Sequence, residues 1–187
     1  MNYKMKENTE VRVAISGKSG CGNTTVSSML AEKLGIKLIN YTFRQLAAEK
    51  GLTLAEVIEN AKTDDSYDIT VDTRQVDLAR QESCILGSRL AIWMLKEANL
   101  KVYLLADPEV RAKRILNREG GNLQEIIDFT SMRDNEDSRR YMKLYQIDNN
   151  NYEFADLIID TSVNTPGQIV NIILEKLESM DLIQKVN

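Results

Sequence analysis

The sequence predicts an α/β protein in which a five-stranded parallel sheet carries helices on both faces. Three observations predict it. Short β-rich apolar runs alternate with longer amphipathic segments, the pattern of repeated strand–helix crossovers. The first clear run, Val11 to Ser16, ends in a glycine-rich turn that leads straight into a helical pattern. The 187 residues, 43% hydrophobic and 28% charged, suit one domain with a sizeable core.

Each element has its own local reason. Val11 to Ser16 is β-rich and stops at Gly17. From Thr24 to Leu34, Val26, Met29, Leu30 and Leu34 share a helical face, and Gly35 suits the left-handed position that ends a helix. Ile36 to Asn40 is a second short strand. Thr53 and Glu56 have capping-box spacing and open a helix through Ala61. Asp68 to Gln81 is helical, and Ser83 to Leu86 is a buried strand ending at Gly87 and Ser88. Lys101 to Ala106 is the fourth strand. Asp107 and Pro108 then supply an N-cap and a first-turn proline for a helix to about Arg118. Gly120 and Gly121 break that helix. A polar, largely helical segment runs on to Asn151, followed by the last strand, Leu157 to Asp160. Thr165 and Gln168 cap a final helix with Ile169, Ile172, Ile173 and Leu177 inside.

Composition narrows the chemistry. Lys and Arg number 24 against 28 Asp and Glu, a net charge of −4, so no global basic field attracts nucleic acid. No apolar run approaches the roughly 20 residues of a membrane span. The first ten residues hold no apolar core of a secretory signal. Two cysteines, Cys21 and Cys84, make no disulfide framework, and a reducing cytoplasm is expected. There is no histidine. That excludes Ser-His-Asp and Cys-His nucleophiles, His-ligated zinc and His phosphocarriers. Phosphoryl transfer survives, because it depends on positioning and charge neutralisation more than on acid–base work.

In such sheets ligands bind at the carboxyl ends of strands, and Gly17, Gly87 and Asp107 sit there. Gly17 to Thr25 reads GKSGCGNTT. It matches the strand–loop–helix phosphate-binding template at Gly17, Gly22 and Thr24. Glycines let successive N–H groups turn inward to cradle an anion, and the helix N-terminus adds partial positive charge. Thr24 offers a hydroxyl to Mg²⁺. The template lysine is absent and Asn23 stands in its place; Lys18, inside the loop, is an alternative cation.

Arg44 and Arg89 follow the second and third strands, and two guanidinium forks at that edge suit a phosphate monoester. Arg111, Arg114, Arg118, Arg133, Arg139 and Arg140 form a second group about the Gly120–Gly121 hinge, and a subset of them is expected to close over a transferring phosphoryl. Asp72 lies between Ile69 and Val76 on an otherwise apolar face. It either accepts hydrogen bonds from an exocyclic amine of a base or pairs with an arginine such as Arg74 or Arg44.

These residues together resemble a known family. GKSGCGNTT, Phe43-Arg44, Gly87 to Ala91 and Asp107 to Ile115 are similar to nucleoside-monophosphate kinases. Arg133, Glu136, Arg139, Arg140, Tyr141, Tyr145, Ile147 and Asp148, then Ala155-Asp156 and Asp160-Thr161-Ser162, resemble the archaeal-type branch of cytidylate kinases. The likeness runs from about residue 11 to 178. It implies a P-loop kinase fold in a single domain, 1–187, with an NMP-binding segment at about 41–82 and a lid at about 118–135. It implies the reaction ATP + CMP ⇌ ADP + CDP with Mg²⁺, and leaves dCMP open as a further acceptor. ATP is then held by Gly17, Lys18, Ser19, Gly20, Cys21, Gly22, Asn23, Thr24 and Thr25. Arg44 and Arg89 meet the CMP phosphate, and Arg133 with Arg139 or Arg140 belongs to the lid. The expected partners are small nucleotides, with no nucleic acid or membrane, and the expected state is a monomer. Two alternatives stay open: a kinase for another nucleotide or small molecule, and a non-catalytic nucleotide-binding regulator of which Asn23 is the mark.

Overall fold

The computed structural model describes residues 2–186; Met1 and Asn187, which the expected 1–187 unit includes, lie outside the described residues. In chain order the strands are β1 (Asn2–Met5), β2 (Arg12–Gly17), β3 (Lys37–Ile39), β4 (Cys84–Gly87), β5 (Leu100–Leu105), β6 (Leu157–Asp160) and β7 (Ile183–Val186). The helices are α1 (Asn23–Leu34), α2 (Phe43–Lys50), α3 (Leu54–Ala61), α4 (Ser66–Ala79), α5 (Ala91–Met94), α6 (Pro108–Glu119), α7 (Leu123–Tyr145) and α8 (Pro166–Ser179).

Five strands form one sheet in the order β3-β4-β2-β5-β6, every pair parallel. Side chains alternate across the strands. Val13 and Ile15 of β2 join a core with Leu30, Ile169 and Ile173 from α1 and α8. Ala14 of the same strand faces a second core with Val76, Ala79, Ile92 and Leu95 from α4, α5 and the turn after it. A third, smaller core of Tyr41, Leu46, Ala47 and Val57 holds α2 and α3 to each other. The 41–82 segment therefore has apolar support of its own.

Four features depart from the sequence expectation. β1 and β7 pair antiparallel as a separate two-stranded sheet, so the strand total exceeds five. Phe43–Lys50 is a helix over residues for which the sequence pointed to no element, and Thr42 and Gln45 form its capping box. Asp107 occupies the N-cap of α6, but its side chain makes no capping bond; Pro108 alone supplies the start signal. The expected Asp68–Gln81 helix begins and ends two residues earlier. Thr53/Glu56 and Thr165/Gln168 form the expected capping boxes, and Gly35 ends α1 in the left-handed conformation.

Candidate phosphate-transfer site

β2 is central, between β4 and β5; the chain leaves β2 for β3 on one side, and β4 later crosses to β5 on the other. That makes its carboxyl end the place where a crevice opens. Gly17 to Val26 lines a cavity of about 520 Å³ there, with Gly87, Ser88, Arg89, Arg114, Arg118, Thr161, Asn164, Pro166 and Ile169. Gly20 and Gly22 hold φ of 83° and 87°, where a side chain is strained. Gly17 is required for another reason: a Cβ on it would lie 2.8 Å from the Leu104 carbonyl oxygen. All nine residues expected to hold donor phosphates, Gly17 to Thr25, thus line one wall.

Asn23 is the first residue of α1, and its carboxamide is tied back onto the sheet and the helix. Its Nδ2 donates to the Ile15 carbonyl at 3.0 Å, and its Oδ1 accepts from the Ser27 hydroxyl at 3.0 Å. The ammonium of Lys18 donates to Asn150 Oδ1 at 3.1 Å. Neither supplies the template charge directly. Arg114 does bring charge to the wall. Its guanidinium donates to the Gly20 carbonyl, to Thr161 Oγ1 and to the Thr161 carbonyl at 3.2, 2.8 and 2.6 Å, all neutral acceptors. Arg118 lines the same cavity from the end of α6 and pairs with Glu119.

Arg89 is set by a buried serine. Ser16 Oγ donates to the Ser88 carbonyl at 2.9 Å and accepts from the Ile92 N–H at 3.2 Å, which fixes the turn after β4. From that turn Arg89 reaches Asp137 of α7 at 2.8 Å. Asp137 also accepts from Arg140 at 3.2 Å, and Arg140 pairs with Asp68 of α4 at 3.0 Å. Burial first, and then the nearby Arg89 charge, lowers the Arg133 pKa. Arg89 and Arg140 converge on Asp137, with Asp68 as Arg140's second partner, and guanidinium groups so grouped suit a phosphate. Arg139 is exposed and makes no ion pair with a described residue.

Asp72 meets neither Arg74 nor Arg44. Its Oδ2 accepts from the Tyr145 hydroxyl at 2.8 Å, across from α7. Burial pushes its carboxyl up to about 6, against the Tyr145 bond and Arg140, which lower it, and with Asp68 and Asp137, which raise it. Arg44 sits in the first turn of α2, exposed, and does not line the 520 Å³ cavity. The sequence alone gave Tyr145 no role, although its i, i+4 spacing to Tyr141 places both on one face of the helix. It gave no role either to Thr161 and Asn164, which follow β6 at the same edge of the sheet where Gly17 ends β2.

A glycine-rich loop at the switch point of a 2-3-1-4-5 parallel sheet, faced by an arginine-rich helix pair, defines the P-loop kinase class of fold. The shikimate kinase of Bacteroides thetaiotaomicron superposes with a TM-score of 0.61 at 17% identity, covering 92% of this chain and 99% of that one. The deoxyadenosine kinase of M. mycoides with bound dATP gives 0.55 at 16% identity, covering 89% and 98%. A family model described as the cytidylate kinase-like family matches residues 12–163. The chain belongs to that family. It is similar to "Cytidylate kinase 2" of Borreliella burgdorferi, 41% identical over 92% of this chain and 98% of the relative. It is also similar to "Cytidylate kinase" of Archaeoglobus fulgidus, 42% identical over 90% of this chain and 95% of the relative.

Proposed function

We propose that this protein transfers the γ-phosphoryl group of ATP to CMP, with dCMP as a further acceptor. One observation carries the reading. Arg89 both lines the cavity under the phosphate loop and pairs with Asp137 of the carboxylate–guanidinium cluster. It stands between a donor half built of main-chain amides and an acceptor half built of charged side chains. The names of the relatives supply the base.

The chain's own groups divide the work. Gly17 to Thr25 hold the donor phosphates by N–H groups and the α1 N-terminus. Arg89 aligns the acceptor phosphate; Arg133 and Arg140 take up charge that grows on the transferring group. Arg139 and Arg44, both exposed, join when the lid at about 118–135 and the 41–82 segment close. Asp72, held by Tyr145, accepts from the exocyclic amine of cytosine, which uracil lacks. Thr24 fits a Mg²⁺ ion: its hydroxyl lines the cavity and makes no hydrogen bond to a described residue. Among the described residues no group of three or more His, Cys, Asp or Glu can hold a metal. Mg²⁺ would therefore ride on the nucleotide phosphates with Thr24 as its protein ligand, and would neutralise their charge.

No helix among the described residues is long and apolar enough to cross a membrane, and both cysteines are free thiols. Free thiols suit a reducing compartment, and we read the enzyme as a cytoplasmic monomer acting on free nucleotides. The test is a turnover panel with Mg²⁺, ATP and CMP, dCMP, UMP or AMP as acceptor. CMP is expected to give the highest kcat/KM. ATP-dependent thermal stabilisation without ADP formation from any acceptor would instead establish a nucleotide-binding regulator.

A further inference from the structure

The phosphate loop comes nearest to α6 at the peptide joining Ser19 and Gly20. A Cβ on Gly20 would lie 3.0 Å from the Arg111 Cβ and 3.0 Å from its carbonyl oxygen, so the loop rests on the helix with no side chain between. Arg111 is only 5% exposed. Its Nε donates to the Ser19 carbonyl at 2.7 Å. Its two terminal nitrogens fork onto both oxygens of Asp134 of α7, at 2.8 and 2.9 Å. Unlike Arg114 and Arg118, it does not line the 520 Å³ cavity.

A trans peptide points its carbonyl and its N–H in opposite directions. With the Ser19 carbonyl drawn outward onto Arg111, the N–H of Gly20 is turned inward. That N–H has no protein acceptor among the described residues. We propose that Arg111, clamped by Asp134, is a positioning residue that holds the Ser19–Gly20 peptide in its anion-binding orientation and ties α7 to the phosphate loop. The clamp matters more here than in a loop carrying lysine, because Asn23 leaves the main-chain donors to grip the phosphates without an ammonium. Asp134 lies on α7 beside Arg133 and one turn from Asp137. This rests on the reading of Gly17 to Thr25 as the donor site.

The experiment measures ATP and ADP binding by calorimetry, and KM for ATP and CMP, in Arg111→Lys, Arg111→Met, Asp134→Asn and the Arg111→Met/Asp134→Asn double variant. A charge-assisted hydrogen bond lost from a buried group predicts ATP binding weakened about tenfold or more in Arg111→Met. KM for CMP is expected to stay within about twofold in all four, on the same scale. Arg111→Lys recovers part of the ATP affinity, since an ammonium reaches the Ser19 carbonyl but cannot fork onto Asp134. The double variant binds ATP no more weakly than Arg111→Met, as two parts of one clamp require. It leaves no unpaired buried charge, so it serves if Arg111→Met does not fold. Folded Arg111→Met or double variant with wild-type ATP affinity overturns the proposal, as does an equal loss of ATP and CMP affinity. A wild-type protein that binds no ATP removes the donor-site reading itself.

Discussion

Asn23 and Asp72 show how two single side chains can be read from sequence in kind but not in role. The absence of a lysine at position 23 is plain in the sequence. That the carboxamide turns inward is not, because the Ile15 carbonyl and Ser27 hydroxyl that hold it are brought together by the angle between β2 and α1. Asp72 stood out as a carboxylate on an apolar face, but its partner, Tyr145, lies 73 residues away. Its raised pKa makes it a liability to folding. The folded carboxyl, at about 6, holds its proton more tightly than the unfolded one, near 3.9. The stability it contributes is therefore full below about pH 4 and is lost as pH rises through about 6. Asp72→Asn should accordingly melt higher than wild type at pH 7.5, and the difference should close below pH 4, while the preference for CMP over UMP falls. Melting curves from pH 4 to 8 check the first part; a temperature difference independent of pH would mean that the carboxyl is not desolvated.

Elements carried by local chemistry were the most legible. The capping boxes at Thr53 and Thr165 and the glycine end of α1 are fixed by residues three or four apart. α2 obeys the same rule, since Thr42 and Gln45 have that spacing, but its eight residues carry too short an apolar pattern to stand out. α7 was visible as a polar helix. Which of its charges face α4, the β4 turn or solvent depends on how α6 and Gly120–Gly121 set it down, and no local pattern encodes that. The end of β4 is constrained in a way a sequence cannot display. A Cβ on Gly87 would lie 2.5 Å from Ser27 Oγ and 3.1 Å from Asn23 Oδ1. Gly87→Ala must push β4 from α1, at a cost of roughly 1–3 kcal/mol. Because Arg89 follows two residues on, the same variant is expected to raise KM for CMP severalfold. Denaturant unfolding and acceptor titration test both, and loss of stability with unchanged KM would separate Arg89 from the position of the β4 end.

At the scale of the whole molecule the sheet divides labour along its strands. All five parallel strands present their carboxyl ends to one edge, and Gly17, Gly87 and Thr161 meet the cavity there. α1 and α8 run back from that edge, so the β1–β7 sheet, which follows α8, closes the opposite end. Its pairing, Tyr3 with Lys185 and Met5 with Ile183, joins residues at the two ends of the chain. It escaped the sequence reading because neither four-residue strand alternates strongly and each completes the other. Ile183 is 1% exposed and belongs to the core shared by α1, α8 and the sheet. Truncating it to alanine removes buried methyl groups and leaves a cavity, a loss of about 2–4 kcal/mol. No residue of the phosphate loop or the acceptor cluster touches that end, so the variant should lose stability while keeping KM for ATP and CMP, and kcat, at temperatures where it remains folded. Chemical denaturation beside steady-state kinetics decides it. A fall in kcat in the folded variant would show that the two ends of the sheet are mechanically coupled, and that the rigid strands carry strain from the terminal sheet to the site.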